Sequence, residues 1–348
     1  MAGLEKYTEF SLINRLTARL ERHPQQRNRT HQADAEIVRM ADGSWLAATV
    51  DGIHEEYALG IIRDPFILGW NVVAHSLSDL AAVGASPLGV LVAVSFPRTA
   101  EAAWQEAFFN GVDAAVRAHG TYCLGGDTNF ASEPGFTCTA LGTIARAEPT
   151  LRVGGAPGDL LYITGPLGTG NLLGIASQVD KGLWATLEKE YKPVARLKEG
   201  LALAPFVSCS IDTSDALLQG LAILADLNGV GIDFEHAPDL YAPPLVALTE
   251  KIRFPLWLVN VFGMGEYELI LAVSPAREPA FLARAQEENL TIKRIGRMRA
   301  DPGITLSIDG KAFPLDVPYL LNLFGTCSDL QAYLKALLAY DASLRASR

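Results

Sequence analysis

The sequence predicts an α/β protein of two domains, and three observations carry that expectation. The chain has 348 residues, more than one hydrophobic core usually holds, so two cores are expected. Segments of helical periodicity alternate with short β-branched runs along most of its length. From Arg146 to Asp159 the chain turns rich in glycine, proline and polar residues. This break divides it into domains of residues 1–150 and 151–348.

Leu12, Ile13, Leu16 and Leu20 recur at helical spacing after Thr8-Glu9, predicting an amphipathic first helix that ends in the polar run His23 to His31. Trp45 to Val50 reads as a strand turning at Asp51-Gly52, which sets Asp51 at a strand end. Asp64-Pro65 opens a long helix, with Asp as cap and Pro at the first helical position, and Gly84 closes it. Its apolar face includes Ile67, Trp70, Ala74, Leu77 and Ala81. A second helix from about Thr99 to Gly120 leads to a strand at Tyr122 to Leu124, a turn at Gly125-Gly126-Asp127-Thr128 and a strand from Phe136 to Ile144. The second half restarts with a strand from Leu160 to Thr164, a Gly-rich turn and a helix, and a later helix from Asp215 to Leu227 stops at Asn228-Gly229.

Composition narrows the function classes. The formal net charge is −10, and no cluster of Lys and Arg suits a nucleic-acid backbone. An acidic surplus also fits carboxylates that await Mg²⁺. Cys123, Cys138, Cys209 and Cys327 lie far apart without zinc spacing, so reduced, mostly buried thiols are expected. The first residues carry acidic groups at helical period rather than a signal peptide, and no apolar run approaches the roughly 20 residues of a membrane span. A cytoplasmic protein without membrane contact is expected. The six histidines form no HExxH and no close pair, which leaves zinc and a nucleophilic triad unsupported.

The carboxylates carry the chemistry. Asp79 lies in the apolar run Leu77 to Ala85 near a helix C-terminus, where a negative charge opposes the dipole and needs a cation or a hydrogen bond. Asp127 follows two glycines that let a phosphate approach the backbone, although Gly-Gly-Asp-Thr is also ordinary turn composition. Asp212 and Asp215 flank a helix start, where Thr213, Ser214 or Asp215 could equally serve as a cap. With Asp34 and Asp51, these residues sit at element ends in different parts of the chain, and several carboxylates converging on a magnesium-bound triphosphate make chemical sense. Gly165-Pro166-Leu167-Gly168-Thr169-Gly170 follows a strand and reads as a weak phosphate loop that matches neither standard motif.

Taken together, the motifs resemble the ATP-dependent thiamine-monophosphate kinases, within the group that includes aminoimidazole ribonucleotide synthetase, selenophosphate synthetase and a hydrogenase maturation factor. The stretches that carry it are Glu9-Phe10-Ser11-Leu12-Ile13, Ser78 to Ala85, Gly125 to Thr128, Gly155 to Asp159 with Ile163-Thr164-Gly165, Asp212 to Asp215, and Glu266-Tyr267-Glu268-Leu269. The resemblance implies a PurM-like fold, with an N-terminal domain that binds ATP and Mg²⁺ and pairs across a homodimer, and a C-terminal α/β domain closing over the nucleotide. It implies Mg²⁺ ligation by Asp34, Asp51, Asp79, Asp127, Asp212 and Asp215, with Thr49 adding an oxygen. Gly125, Gly126, Thr128, Arg152 and Ser214 fall where the family contacts ATP, and Asp127 and Asp215 would be catalytic.

The departures fall on the second substrate. The family's tandem Gly-Asp-Asp is Gln32-Ala33-Asp34 here, its histidine loop becomes Gly52-Ile53-His54-Glu55-Glu56, and its Gly-Glu-Asp-Tyr-Glu-Leu motif begins with Gly265-Glu266 in place of Glu-Asp. Its aromatic motif near the C-terminus has no match in Leu321 to Leu330. His54, Glu55, Glu56 and Glu266 are therefore candidates for an altered acceptor site. Three functions stay open: a small-molecule kinase whose acceptor differs from thiamine monophosphate, a ring-closing or amide-activating enzyme of the aminoimidazole ribonucleotide synthetase type, and a nucleotide-binding protein without turnover.

Overall fold

A computed structural model describes residues 4–346. The first half runs α1 (Thr8–Thr17), β1 (Glu36–Arg39), β2 (Trp45–Gly52), α2 (His54–Ala58), α3 (Pro65–Ala82), β3 (Ser86–Pro97), α4 (Ala102–Ala118), β4 (Cys123–Ala131) and β5 (Gly135–Ile144). The second half contributes β6 (Leu160–Thr164), α5 (Thr169–Val179), α6 (Lys181–Glu190), α7 (Leu197–Leu203), β7 (Cys209–Asp212), α8 (Leu217–Asn228) and β8 (Gly231–Glu235). It continues with α9 (Pro243–Ile252), β9 (Leu269–Val273), α10 (Glu278–Glu287), β10 (Ile292–Arg299), β11 (Gly303–Ile308), β12 (Lys311–Leu315), α11 (Val317–Asn322) and α12 (Leu330–Ala346).

Two sheets organise these elements. The first has the order β1-β2-β5-β3-β4, antiparallel except where β4 pairs parallel with β3. Inward residues Val90, Val92, Val94 and Phe96 of β3 are buried in the core that also takes in α3 and α4. These two helices cross closely at glycines: a Cβ on Gly69 would lie 1.9 Å from the carbonyl oxygen of Phe108, and one on Gly111 would lie 2.0 Å from that of Phe66. The second sheet has the order β12-β11-β8-β10-β6-β9-β7, with only β8 and β11 parallel. Its central strands β6 and β9 are buried throughout and read as continuous apolar runs.

Asp64 caps α3 as expected, accepting from the amides of Phe66 and Ile67, and Gly84 follows the helix at φ +67°. Three local expectations are corrected. Gly125-Gly126-Asp127-Thr128 is strand rather than turn, lying beside Leu91 to Val94 of β3. The glycines serve this close approach: a Cβ on Gly126 would lie 1.8 Å from the Val92 carbonyl oxygen, and Gly125 sits at φ +151° beside a register shift. On α1 the expected apolar stripe faces water, with Leu12 and Leu16 exposed and Leu20 beyond the helix end. The segment is anchored instead by Leu4, Tyr7 and Phe10, which join the core of the second sheet, and by the Lys6–Asp226 ion pair at 2.9 Å. Third, α8 begins one residue after Ala216, and no side chain caps it. The polar groups of Thr213, Ser214 and Asp215 are thus free of that duty.

All four cysteines are free, two of them buried, one half-buried and Cys123 exposed. Among the described residues, no helix is long and apolar enough to cross a membrane.

Candidate metal and phosphate site

The site forms where the two sheets meet. β2 alternates its faces, so Thr49 and Asp51 point to the same side as the buried Ala47, toward α3. From the last turn of α3, Asp79 accepts a hydrogen bond from the Thr49 hydroxyl. Asp34 precedes β1, and the crossover between domains is tied to its segment by the Arg152 amide, which donates to the Gln32 carbonyl at 2.8 Å. Arg152 Nη2 then donates to Asp34 Oδ1 at 2.9 Å. Asp212 ends β7 in the second sheet, and its amide donates to the same Asp34 oxygen at 3.4 Å. One carboxylate oxygen from each of Asp34, Asp79 and Asp212 lies within 4.8 Å of the others.

Three carboxylates against one guanidinium leave a formal surplus of two negative charges (−3 + 1 = −2) in a largely buried place. Burial and the charges of Asp51, Asp212 and Asp34 push the Asp79 carboxyl well above the usual carboxylate range. Burial and Asp34 push Asp212 up to about 7. Among the described residues, nine buried side-chain polar atoms have no hydrogen-bond partner, and five belong here: Asp34 Oδ2, Asp212 Oδ2, Arg152 Nε, Ser78 Oγ and His75 Nδ1. Ser78 still lies close enough to hold the Asp212 carboxyl down somewhat, without a formed hydrogen bond. Buried polar groups are normally satisfied, so this concentration is what a ligand shell would need. Hard anionic oxygens with a net charge of −2 fit a divalent cation such as Mg²⁺.

The loop that carries Asp212 to Asp215 is fixed from below. Thr213 exchanges hydrogen bonds with the Glu268 backbone, its amide donating at 2.8 Å and its hydroxyl both donating and accepting at 3.1 and 2.9 Å. The Glu268 carboxylate is held by Thr164 Oγ1 and Arg196 Nε, both at 2.7 Å. Ser214 Oγ donates to Asp212 at 3.1 Å, and Gln219 donates to Asp215 at 2.9 Å. Asp215 is open to solvent, yet the protein mass around it raises its carboxyl, while His75 and Arg152 hold it down. Asp51 lies close enough to repel Asp79 strongly.

Other sequence candidates lie outside the Asp34–Asp79–Asp212 group. Asp127, with Gly125, Gly126 and Thr128, is on the exposed edge strand β4, where Asn129 donates to the Asp127 carboxylate. Three strand steps separate β4 from β2, about 14 Å at the usual spacing, so Asp127 does not join the triad within one chain. Glu266 is buried and accepts from the amides of Gly168 at 2.7 Å, Asn171 at 3.1 Å and Gly170 at 3.4 Å. The weak phosphate loop thus already holds an anion, the chain's own carboxylate at the N-terminus of α5. His54 and Glu55 are exposed on the short helix α2, while Glu56 is half-buried and its carboxyl is raised by burial.

Residues 32–144 match the AIR synthase related protein N-terminal domain, and residues 156–309 match the C-terminal domain of the same family. The chain belongs to the AIR synthase related family. A thiamine-monophosphate kinase of Methanospirillum hungatei is 28% identical over 285 residues, covering 81% of this chain and 90% of that protein. A crystal structure from Thermus thermophilus superposes with a TM-score of 0.74 at 29% identity, covering 88% of this chain and 97% of the other. The thiamine-monophosphate kinase of Stenotrophomonas maltophilia superposes with a TM-score of 0.68 at 27% identity, covering 88% and 98%.

Two groups of this AIR synthase related chain escaped the sequence reading. His75 stands one helical turn before Asp79, and Tyr267 packs its ring on it at 5.4 Å. A lone histidine in an apolar helix gives no signal, but its spacing of four from Asp79 places both on one face. The Arg196–Glu268 pair joins residues 72 positions apart, beyond any local pattern.

Proposed function

We propose that this chain is an ATP- and Mg²⁺-dependent kinase of the thiamine-monophosphate kinase type. It transfers a phosphoryl group to a small-molecule acceptor that need not be thiamine monophosphate itself. The observation that carries the reading is the meeting of Asp34, Asp79 and Asp212 beside Arg152, with two carboxylate oxygens lacking any partner in the chain. The names of the relatives support the reaction type.

Asp34, Asp79 and Asp212 would hold Mg²⁺, with Asp51 and Asp215 at the margin and Thr49 orienting Asp79. Bound magnesium supplies charge neutralisation on the phosphate oxygens. Arg152 keeps its Nε unpartnered while anchored to Asp34, and we assign it to a nucleotide phosphate. Ser214 is assigned to the same ligand. Asp215, open to solvent with its carboxyl held high, is assigned to take the proton when the acceptor oxygen is a hydroxyl. Asp127 is kept as a candidate whose reach requires another copy of the chain.

A homodimer belongs to the same proposal. Val50 and Leu91, on the sheet face away from α3, are 61% and 38% exposed, and Leu124 and Phe130 on edge strand β4 are also exposed. An apolar sheet face of this kind marks an interaction surface. Leu91→Glu is expected to convert a dimer to a monomer in sedimentation velocity while leaving the circular dichroism spectrum unchanged. A variant that still sediments as the native protein argues against this face.

The reaction is tested by incubating the purified protein with Mg-ATP, alone and with thiamine monophosphate, and separating nucleotides and thiamine phosphates by chromatography. Thiamine pyrophosphate formed with one ADP identifies the acceptor. ADP without that product assigns the chain to another acceptor, and no nucleotide turnover or binding removes the kinase reading.

A further inference from the structure

Six histidines occur in the chain, and five engage a ring nitrogen in a hydrogen bond. His23 Nδ1 accepts from the Gln25 amide, His31 meets Asn14, His54 Nδ1 accepts from the Phe136 amide, His119 uses both nitrogens, and His236 meets Tyr241. His75 alone among them has neither nitrogen bonded, and its Nδ1 is buried without a partner. Packing fixes the ring: it sits on α3 among fully buried neighbours and meets Tyr267 edge-on at 5.4 Å. Tyr267 is in turn clamped through its amide, which donates to the Thr213 carbonyl at 3.2 Å, on the loop between Asp212 and Asp215.

The His75 Nε2, bonded to nothing in the chain and not enclosed as Nδ1 is, has its hydrogen-bonding capacity free for something outside the chain. Its surroundings say what kind of group that is. The charged groups facing it are acidic, Asp212, Asp215 and Glu56, each of which feels the imidazole. A neutral imidazole keeps one N–H in either tautomer, and with neither nitrogen bonded in the chain that donor reads an oxygen acceptor on a ligand. The carboxylates themselves do not take the bond, since no hydrogen bond joins them to His75 in the chain. Asp212 belongs to the metal group, whereas Glu56 belongs to the segment after β2 where the sequence departs from the thiamine-monophosphate kinases. The ring is therefore within electrostatic reach of both the metal-holding carboxylates and the acceptor candidates.

Resting on the kinase reading above, we propose that His75 is a specificity residue that donates a hydrogen bond to an oxyanion of the acceptor, which is therefore a phosphate or carboxylate compound rather than a neutral alcohol. The bond is made to the acceptor and not to the nucleotide, whose phosphates are assigned to Arg152 and the metal.

The test is titration calorimetry with orthophosphate as the acceptor probe, using native protein saturated with Mg²⁺ and the non-hydrolysable analogue AMPPCP. The native protein is expected to bind orthophosphate, and His75→Val to weaken that binding roughly ten- to a hundred-fold, as for loss of a charge-assisted hydrogen bond. AMPPCP affinity should change less than about two-fold, since an untouched contact contributes no difference, and His75→Gln should recover most of the phosphate binding. Native protein that binds AMPPCP but no orthophosphate overturns the inference, as does a His75→Val variant that loses both ligands equally or neither. Native protein that fails to bind Mg-AMPPCP refutes the kinase reading and this inference with it. Melting curves of both variants within a few degrees of native separate a lost contact from a lost fold.

Discussion

Asp212→Asn is expected to lower Mg²⁺-dependent turnover by about a thousand-fold or more, the loss of several kcal/mol of metal-borne charge stabilisation, and at the same time to stabilise the metal-free protein. The two effects have one cause. Asp212 ends β7 facing Asp34 and Asp79, and without a cation these carboxylates repel one another in a buried place. An amide of the same shape removes one charge from the group, which should raise the stability of the metal-free fold at pH 8 by on the order of 2 kcal/mol. The sign of the pH dependence follows. Asp212 has its folded value raised from 3.8 to about 7, so the folded protein binds the extra proton in that window. The stability of the metal-free native protein is then highest below about pH 4 for this group and falls as pH rises toward 7. Denaturant titrations in EDTA should therefore show native and Asp212→Asn proteins closest near pH 4 and progressively further apart up to pH 8. A variant less stable than native at pH 8 in EDTA contradicts the repulsive cluster.

Glu266→Ala is expected to cost about 3–5 kcal/mol of stability, the penalty for stripping a buried charge from its partners. One carboxylate satisfies the amides of Gly168 and Gly170 through Oε2 and of Asn171 through Oε1 at the start of α5, and the Thr169 hydroxyl reaches Oε2 at 3.3 Å. Without it those donors are left around a void that the rigid backbone cannot close. Burial raises the Glu266 carboxyl, while the three amides hold it down. Glu266→Gln keeps the shape and part of the bonding and should lose less than the alanine variant. If Glu266 instead touched the acceptor, the alanine variant would keep its melting temperature and lose acceptor affinity. Chemical denaturation of both variants distinguishes the two roles.

Much of the architecture could be read from local rules because local chemistry decides it. Asp64-Pro65 and Gly84 delimit α3 through a cap, a fixed φ and a left-handed turn, all of which act within a few residues. The strand Leu160–Thr164 is bounded by turn residues and came out at the same limits. What escaped depends on contacts distant in sequence. Strand β3 buries Val90, Val92, Val94 and Phe96 in strict alternation, but its outward Leu91 and Ala93 are apolar as well and Pro87 and Gly89 break its start at a register shift, so no alternation shows in the sequence. The glycine pair at 125–126 has the composition of a turn, and only the nearness of β3 makes it strand. The leucines of α1 have helical period, but the helix is held by Tyr7 and Phe10 at its start.

The site follows the same division. That Asp34, Asp51, Asp79 and Asp212 stand at element ends is visible locally, whereas their meeting depends on how β2, α3 and β7 are brought together. Glu266 reads as a substrate carboxylate in sequence because its partner, the start of α5, lies almost 100 residues away. His75 has no motif at all, and its unbonded ring becomes notable only beside the five bonded ones.

The central claim is that the Asp34–Asp79–Asp212 group binds a divalent cation together with ATP, and thermal unfolding of the purified protein tests it most directly. The melting temperature should rise by a few degrees when Mg²⁺ and ATP are both present at about a hundred times their dissociation constants. ATP with EDTA should shift it far less, and Asp79→Asn should abolish the joint shift while remaining folded. An equal rise with ATP in EDTA, or none with both ligands present, would contradict the account.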